Sequence, residues 1–357
     1  MSAQAHEDIV EFAQTVRVDA RIAEKIPKFD APFFQAGLAG YSDAAMRIVA
    51  RHHGCPFCVT EALLDRILIS GGKGRRREDP EVLACEQDEY TCNLHDHPIA
   101  GQVIGAEPEE MAEGASILVS MGYDVIDVNL ACPPKRVRKR KRGGYFLKDP
   151  QIGVEILDAV REVVPSTIPT TLKLRRGFDD SEESVKNFYT IFDAAVELGF
   201  LWTTVHGRSV EQRYVGPSRW SFLTDLVKER PDALVLGSGD IWTAEDIFKM
   251  MQQTGVKGVS VARGCIGNPW IFNQARSMMA GEEQKPPTVE EQKHALLLHF
   301  ELCTDLHGEQ KASRLMRKFG ISFSQFHPNA EVVRKEFIKI QSAVEWQGVL
   351  DTHYCDF

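Results

Sequence analysis

Short apolar runs alternate with longer amphipathic stretches from about residue 30 to residue 283. The runs, rich in β-branched and aromatic residues, cover 33–36, 57–60, 99–103, 125–129, 170–174, 203–206, 234–237 and 258–262. Near-continuous hydrophobic runs of this length read as strands of a parallel sheet covered on both faces. Between them, 108–121, 151–163, 182–198 and 244–254 repeat apolar positions at helical spacing. Two of these helices carry start signals, Ser181 before Glu182-Glu183 and Thr243 before Glu245-Asp246. A hydroxyl there can cap free backbone N–H groups, and the acids favour the positive end of the helix. Eight such units predict an α/β protein, a (β/α)8 TIM barrel of about 250 residues. A doubly wound open sheet is the competitor, but no Gly-x-Gly-x-x-Gly turn follows the first run. Pro286-Pro287 then ends the alternation, and 289–307, 311–319 and 330–342 predict a small C-terminal helical domain. The expected organisation is an N-terminal helical extension over 1–29, a barrel over 30–284 and helices over 285–357.

Charge changes this picture. The net charge of −9 disfavours indiscriminate nucleic-acid binding. Cations nevertheless concentrate at Arg75-Arg76-Arg77, in the run Lys135-Arg-Val-Arg-Lys-Arg-Lys-Arg142, and in the C-terminal third. Solvated surface explains one such run more easily than three; a folded RNA held at selected phosphates explains them all. Lys311, Arg314, Arg317 and Lys318 recur at helical spacing and share a face, either solvated or contacting phosphates. No apolar stretch approaches the roughly 18 residues of a membrane span. Residues 1–21 lack the zones of a signal peptide, so a cytoplasmic protein is expected. Eight irregularly spaced cysteines suggest reduced thiols. Cys55-Pro-Phe-Cys58 has a metal-pair gap, but Cys85 and Cys92 do not complete a zinc-ribbon spacing, and no metal is expected.

The chemistry collects where a barrel would gather it, at the C-terminal ends of the strands. Those ends carry Glu61, Gln102, Asn129 with Cys132, Lys173, His206 with Arg208, Ser238-Gly239-Asp240, and Ala262-Arg263-Gly264. A lone histidine or lysine would be structural more often than not; polar groups on nearly every strand end point to a site. Glycine-bearing loops after the last two strands suit a phosphate, because a residue without Cβ lets the backbone approach its oxygens. That signal does not separate cofactor from substrate.

Several motifs are specific: Ala39-Gly-Tyr-Ser-Asp43, Gln102-Val-Ile-Gly105, Asn129-Leu-Ala-Cys-Pro133 and Leu172-Lys-Leu-Arg175. Most diagnostic are Thr204-Val-His-Gly-Arg-Ser-Val-Glu-Gln-Arg-Tyr214 and Ala262-Arg-Gly-Cys-Ile-Gly-Asn-Pro-Trp-Ile-Phe272. Over roughly 31–340 the chain resembles the tRNA-dihydrouridine synthases, FMN-dependent flavoenzymes with a barrel and a C-terminal helical domain. The resemblance implies that Cys132 donates a proton to C5 of a tRNA uridine whose C6 receives hydride from reduced FMN. Lys173 and His206 would contact the flavin and position the base, completing the catalytic set. Gln102 would hydrogen-bond the flavin ring, which Gly37, Leu38 and Ala39 would line. Ser238, Gly239, Asp240, Ala262 and Arg263 would hold the ribityl chain and phosphate. Asn129, Lys135, Arg136, Arg138, Arg208, Arg314 and Arg317 would contact the RNA. NADPH, or NADH, would reload the flavin; tRNA is the implied partner, with no obligate protein partner. The chain departs from the family at Gly37, Leu38, Ala131, Ser238 and the basic 136–142, and none of these removes a catalytic group. An FMN-dependent dehydrogenase of a free pyrimidine and a redox-inactive tRNA-binding protein are the alternatives.

Overall fold

The computed structural model describes residues 3–71 and 96–355. Among the described residues, nine parallel strands follow one another: β1 (Phe33–Gln35), β2 (Cys58–Val59), β3 (Leu63–Leu64), β4 (Ile99–Ile104), β5 (Val125–Asn129), β6 (Thr170–Arg175), β7 (Trp202–His206), β8 (Val235–Ser238) and β9 (Val259–Val261). Their order is β2-β1-β9-β8-β7-β6-β5-β4, and a further β2–β4 pairing closes the ring. Eight strands therefore form the expected barrel. β3, which the apolar pattern does not announce, pairs Leu63 with Val103 and Leu64 with Ile104.

The parallel register sets the site. Asn129 lies opposite Lys173, Arg175 opposite His206, and His206 opposite Ser238. Reactive strand ends thus stand side by side at one mouth. At the other end, Phe29, Phe34, Phe57 and Trp202 form an aromatic cluster with ring centroids 5.2–6.4 Å apart. Val125 and Leu234, near strand starts, belong to the same buried group, as do Ile22 and Ile26. Helix Ala20–Lys25, capped by the Asp19 carboxylate, therefore helps to floor the barrel. The preceding helix Ala3–Thr15 packs against helices Ala244–Thr254 and Trp270–Ala280, burying Ile9 and Ala13.

The cap signals are used. Ser181 accepts from the Ser184 N–H at 3.2 Å, and Thr243 forms a reciprocal box with Asp246. Beyond the barrel run helices Val289–His307, Glu309–Phe323, Ala330–Lys339 and Ala343–His353. The last was not anticipated, although Ser342 and Glu345 form a capping box at its start. Its Trp346 stacks on Phe300 at 4.3 Å, and Trp270 meets Phe323 and Phe326 across the junction with the barrel. Cys55 and Cys58 are buried thiols with sulfurs 3.8 Å apart, whereas Cys85, Cys92 and the Arg75–Arg77 run lie outside the described residues. No described helix is long and apolar enough to cross a membrane.

Candidate active site

A cavity of about 230 Å³ opens at the mouth and descends to Phe34, Phe57 and Trp202. Cys132, Lys173 and His206 all line it, together with Gln102, Asn129, Ser238, Gly239, Asp240, Ala262 and Arg263. Gly37, Leu38 and Ala39 form part of the opposite wall, whereas Glu61 is not among the lining residues.

A chain of hydrogen bonds fixes the cysteine. Asp127, buried within β5, accepts from Thr171 Oγ1 at 2.6 Å and Gln102 Nε2 at 2.7 Å. Gln102 Oε1 accepts from Asn129 Nδ2 at 2.6 Å, and Asn129 Oδ1 accepts the backbone N–H groups of Ala131 and Cys132. This uses most of the Asn129 amide, which therefore holds the cysteine turn and is poorly disposed to contact RNA. Gln102 keeps one amide hydrogen for a ligand. Burial raises the Asp127 pKa, partly opposed by the Thr171 and Gln102 bonds.

Lys173 is the least satisfied group in the cavity. Its stem is half-exposed to the cavity, but Nζ is enclosed and has no hydrogen-bond partner among the described residues. Enclosure lowers its pKa from 10.5 to about 7, with Asp127 pulling the other way. His206 Nδ1 lies 3.0 Å from the Ser238 carbonyl oxygen. A carbonyl only accepts, so Nδ1 carries the hydrogen and Nε2 is left as an acceptor. Burial, then Arg175 and Lys173, drive the His206 pKa well below its usual value, so the ring is neutral. Arg175 donates to the carbonyls of Ala131, Ser209 and Arg213 and lies over the Tyr214 ring at 5.4 Å.

Burial also raises the Cys132 thiol pKa, with Arg175 and Arg136 opposing. The turn after the basic run folds over this residue: Gly144 N–H donates to the Cys132 carbonyl at 3.1 Å. At Gly143, with φ +56°, a Cβ would stand 2.9 Å from Cys132 Cβ.

The phosphate-suited end is equally tight. Gly239 has φ +116°, and a Cβ there would sit 2.5 Å from the His206 imidazole. A Cβ at Gly37 would collide with the Thr60 carbonyl oxygen, so this glycine is required by its neighbour. Arg263 lies between the rings of Tyr214 and Trp242, 4.8 Å from each centroid, and 3.7 Å from Asp240. Asp240 pairs with Arg208 at 2.7 Å through both oxygens and accepts the Ser218 N–H. Its carboxylate therefore sets two arginines in place.

Residues 34–356 match the family described as "Dihydrouridine synthase (Dus)". This chain belongs to that family. It is 31% identical over 300 residues to a "Probable tRNA-dihydrouridine synthase" of Rickettsia conorii, covering 84% of this chain and 86% of the relative. Against "tRNA-dihydrouridine synthase B" of Shewanella oneidensis it is 28% identical over 322 residues, covering 89% and 94%. Among solved structures, a 2-naphthoyl-CoA reductase complex shares the fold with TM-score 0.54 at 10% identity, over 70% of this chain. The match spans half the length of that larger protein.

Outside the cavity, the family member presents its cations unevenly. Lys135, Arg136, Lys139, Arg140 and Lys141 are exposed around the short helix Lys135–Arg138. Arg138 instead bonds the Pro133 carbonyl and lies over Phe178, and Arg142 turns inward to 4.0 Å from Asp65. Arg314 and Arg317 are exposed on helix Glu309–Phe323, whose Lys318 caps the Tyr41 ring at 4.0 Å. Arg208 does not fit the RNA contact expected of it. It is 3% exposed and committed to Asp240 and the Gly216 carbonyl. Sequence reasoning missed Asp127, Arg175, Tyr214 and Trp242 as site residues. A carboxylate inside the apolar run Val125-Ile-Asp-Val128 was the available signal for the first.

Proposed function

We propose that this cavity is where the protein reduces a uridine of tRNA to 5,6-dihydrouridine, with NADPH or NADH as reductant. The observation that carries the reading is the meeting of Cys132, an unpartnered Lys173 and a neutral His206 in one cavity. The site residues fit FMN. An enclosed amine without a partner calls for an acceptor, as a flavin ring edge provides. Arg263 offers a cation beside the Gly239-Asp240 turn for a phosphate. Gln102, Lys173 and His206 would hold the ring, and Gly239, Asp240 and Arg263 the phosphate. When bound, FMN supplies hydride to C6 of the base.

The protein's own groups do the remainder. Charge develops toward O4 and C5 of the base, and Lys173 and Arg175 give the cavity a positive potential that stabilises it. Cys132 holds the proton that C5 requires; its raised pKa keeps it a thiol at neutral pH. The Asn129 bonds fix its backbone, so the sulfur moves only about its own Cα–Cβ bond. A stacked uridine reaches this depth only when flipped out, at a cost of a few kcal/mol. Contacts from Lys135, Arg136, Arg314 and Arg317 to phosphates offset that cost. Reduced thiols and a tRNA substrate support a cytoplasmic location.

The test is anaerobic. FMN-loaded protein is bleached with NADPH, then mixed with tRNA lacking the modification, and reoxidation is followed by absorbance. Cys132→Ala should retain flavin and its bleaching yet reduce tRNA about 10²–10⁴-fold more slowly. Wild-type speed from that variant would remove Cys132 from the mechanism.

A further inference from the structure

Helix Val289–His307 carries His299, Cys303 and His307 at successive four-residue intervals, so the three share one face. That helix packs on helix Ala44–His52, whose cap is Asp43 in the turn after β1. Asp43 accepts from the Met46 N–H at 3.1 Å and meets His307 Nε2 at 2.9 Å. Lys311 Nζ lies 3.1 Å from His307 Nδ1. An ammonium only donates, so Nδ1 accepts and Nε2–H is given to Asp43. One ligand atom each from Asp43, His299 and Cys303 lies within 4.8 Å of the others.

His299 is the decisive member. It is 1% exposed, and neither ring nitrogen has a hydrogen-bond partner among the described residues. Packing on the Phe319 ring at 4.3 Å satisfies no polar atom.

We propose that Asp43, His299 and Cys303 form a three-ligand site for a divalent transition ion, best suited to Zn²⁺. Oxygen, nitrogen and sulfur donors together favour a borderline ion over Mg²⁺ or Ca²⁺. Tetrahedral Zn²⁺ with bonds of about 2.0–2.3 Å sets ligand atoms about 3.5 Å apart, against separations of no more than 4.8 Å here. One carboxylate and one thiolate neutralise the ion, and water takes the fourth position. Cys303 releases its proton when the ion binds. His299 and Gln35 both line a cavity of about 10 Å³. The Gln35 amide also lacks partners, and the space holds about one water. A water bridging the two would orient the ring, as ligating histidines require. The ion would rivet the C-terminal helices to the turn that follows Leu38 and Ala39.

The full chain, stripped with a chelator and kept reduced, is titrated with Co²⁺. The expected result is one equivalent bound, with tetrahedral visible absorption and a thiolate-to-cobalt charge-transfer band that Zn²⁺ abolishes. Cys303→Ser should lose that band, and His307→Gln should keep it while weakening binding about 10- to 100-fold. No uptake, or a band surviving in Cys303→Ser, overturns the proposal. Should Cys303→Ser not fold, X-ray absorption of the zinc-loaded wild type decides. One sulfur neighbour supports the site; none or several overturn it.

Discussion

Replacing Lys173 with methionine in the flavin-free protein tests the electrostatics of the cavity directly. The substitution keeps the length of the side chain and removes its titratable group. In the folded state the amine loses its proton near pH 7, against 10.5 in water. Between pH 7 and pH 9 the unfolded chain keeps that proton and the folded chain does not. Folding then releases a proton, so stability rises with pH across this window. With these two values, the lysine destabilises the fold by about 4 kcal/mol at pH 7 and about 2 kcal/mol at pH 9. Wild type should therefore gain about 2 kcal/mol over that interval relative to Lys173→Met. Burial keeps His206 neutral throughout this window, so it does not disturb the difference. Urea unfolding of both proteins at the two pH values measures it. A constant gap between them would mean that Nζ is solvated or partnered, and the reasoning about the cavity would fail. Adding FMN should flatten the wild-type slope, because an acceptor for Nζ restores its proton affinity.

Two further outcomes follow from contacts already described. Gly239→Ala forces a Cβ onto the His206 ring at a φ that L-residues avoid, and should weaken FMN binding at least tenfold in a fluorescence titration while the far-ultraviolet dichroism stays unchanged. Lys135→Ala with Arg136→Ala should leave the flavin spectrum intact and make tRNA affinity less salt-dependent, lowering the slope of log K against log salt by about 1.4–1.8; an unchanged slope would take this run off the RNA.

Much of the barrel was legible because burial on both faces leaves uninterrupted apolar runs, as at β5, which matches its expected 125–129 residue for residue. Ser181 and Thr243 were legible for a local reason: capping depends on residues within three positions. Leu63–Leu64 was not, since two residues carry no period, and its pairing with β4 is purely tertiary. The final helix was announced by Ser342 and Glu345, but its interior lacks a clean apolar stripe. At the site, residue types on strand ends located the cavity, whereas the roles of Asn129 and Arg208 depended on partners distant in sequence. Asn129 is absorbed by Gln102 and Arg208 by Asp240, bonds that span 27 and 32 residues. No spacing rule reveals such pairings.

The aromatic floor has a kinetic consequence. Among the described residues, Phe29, Phe34, Phe57 and Trp202 stopper one end of the barrel, so traffic to the reactive wall shares a single doorway. A nicotinamide and an everted nucleotide cannot both stand in it, and the first must depart before the second arrives. Initial velocities should accordingly give parallel double-reciprocal lines, with high tRNA inhibiting competitively against NADPH; intersecting lines would require a second way in.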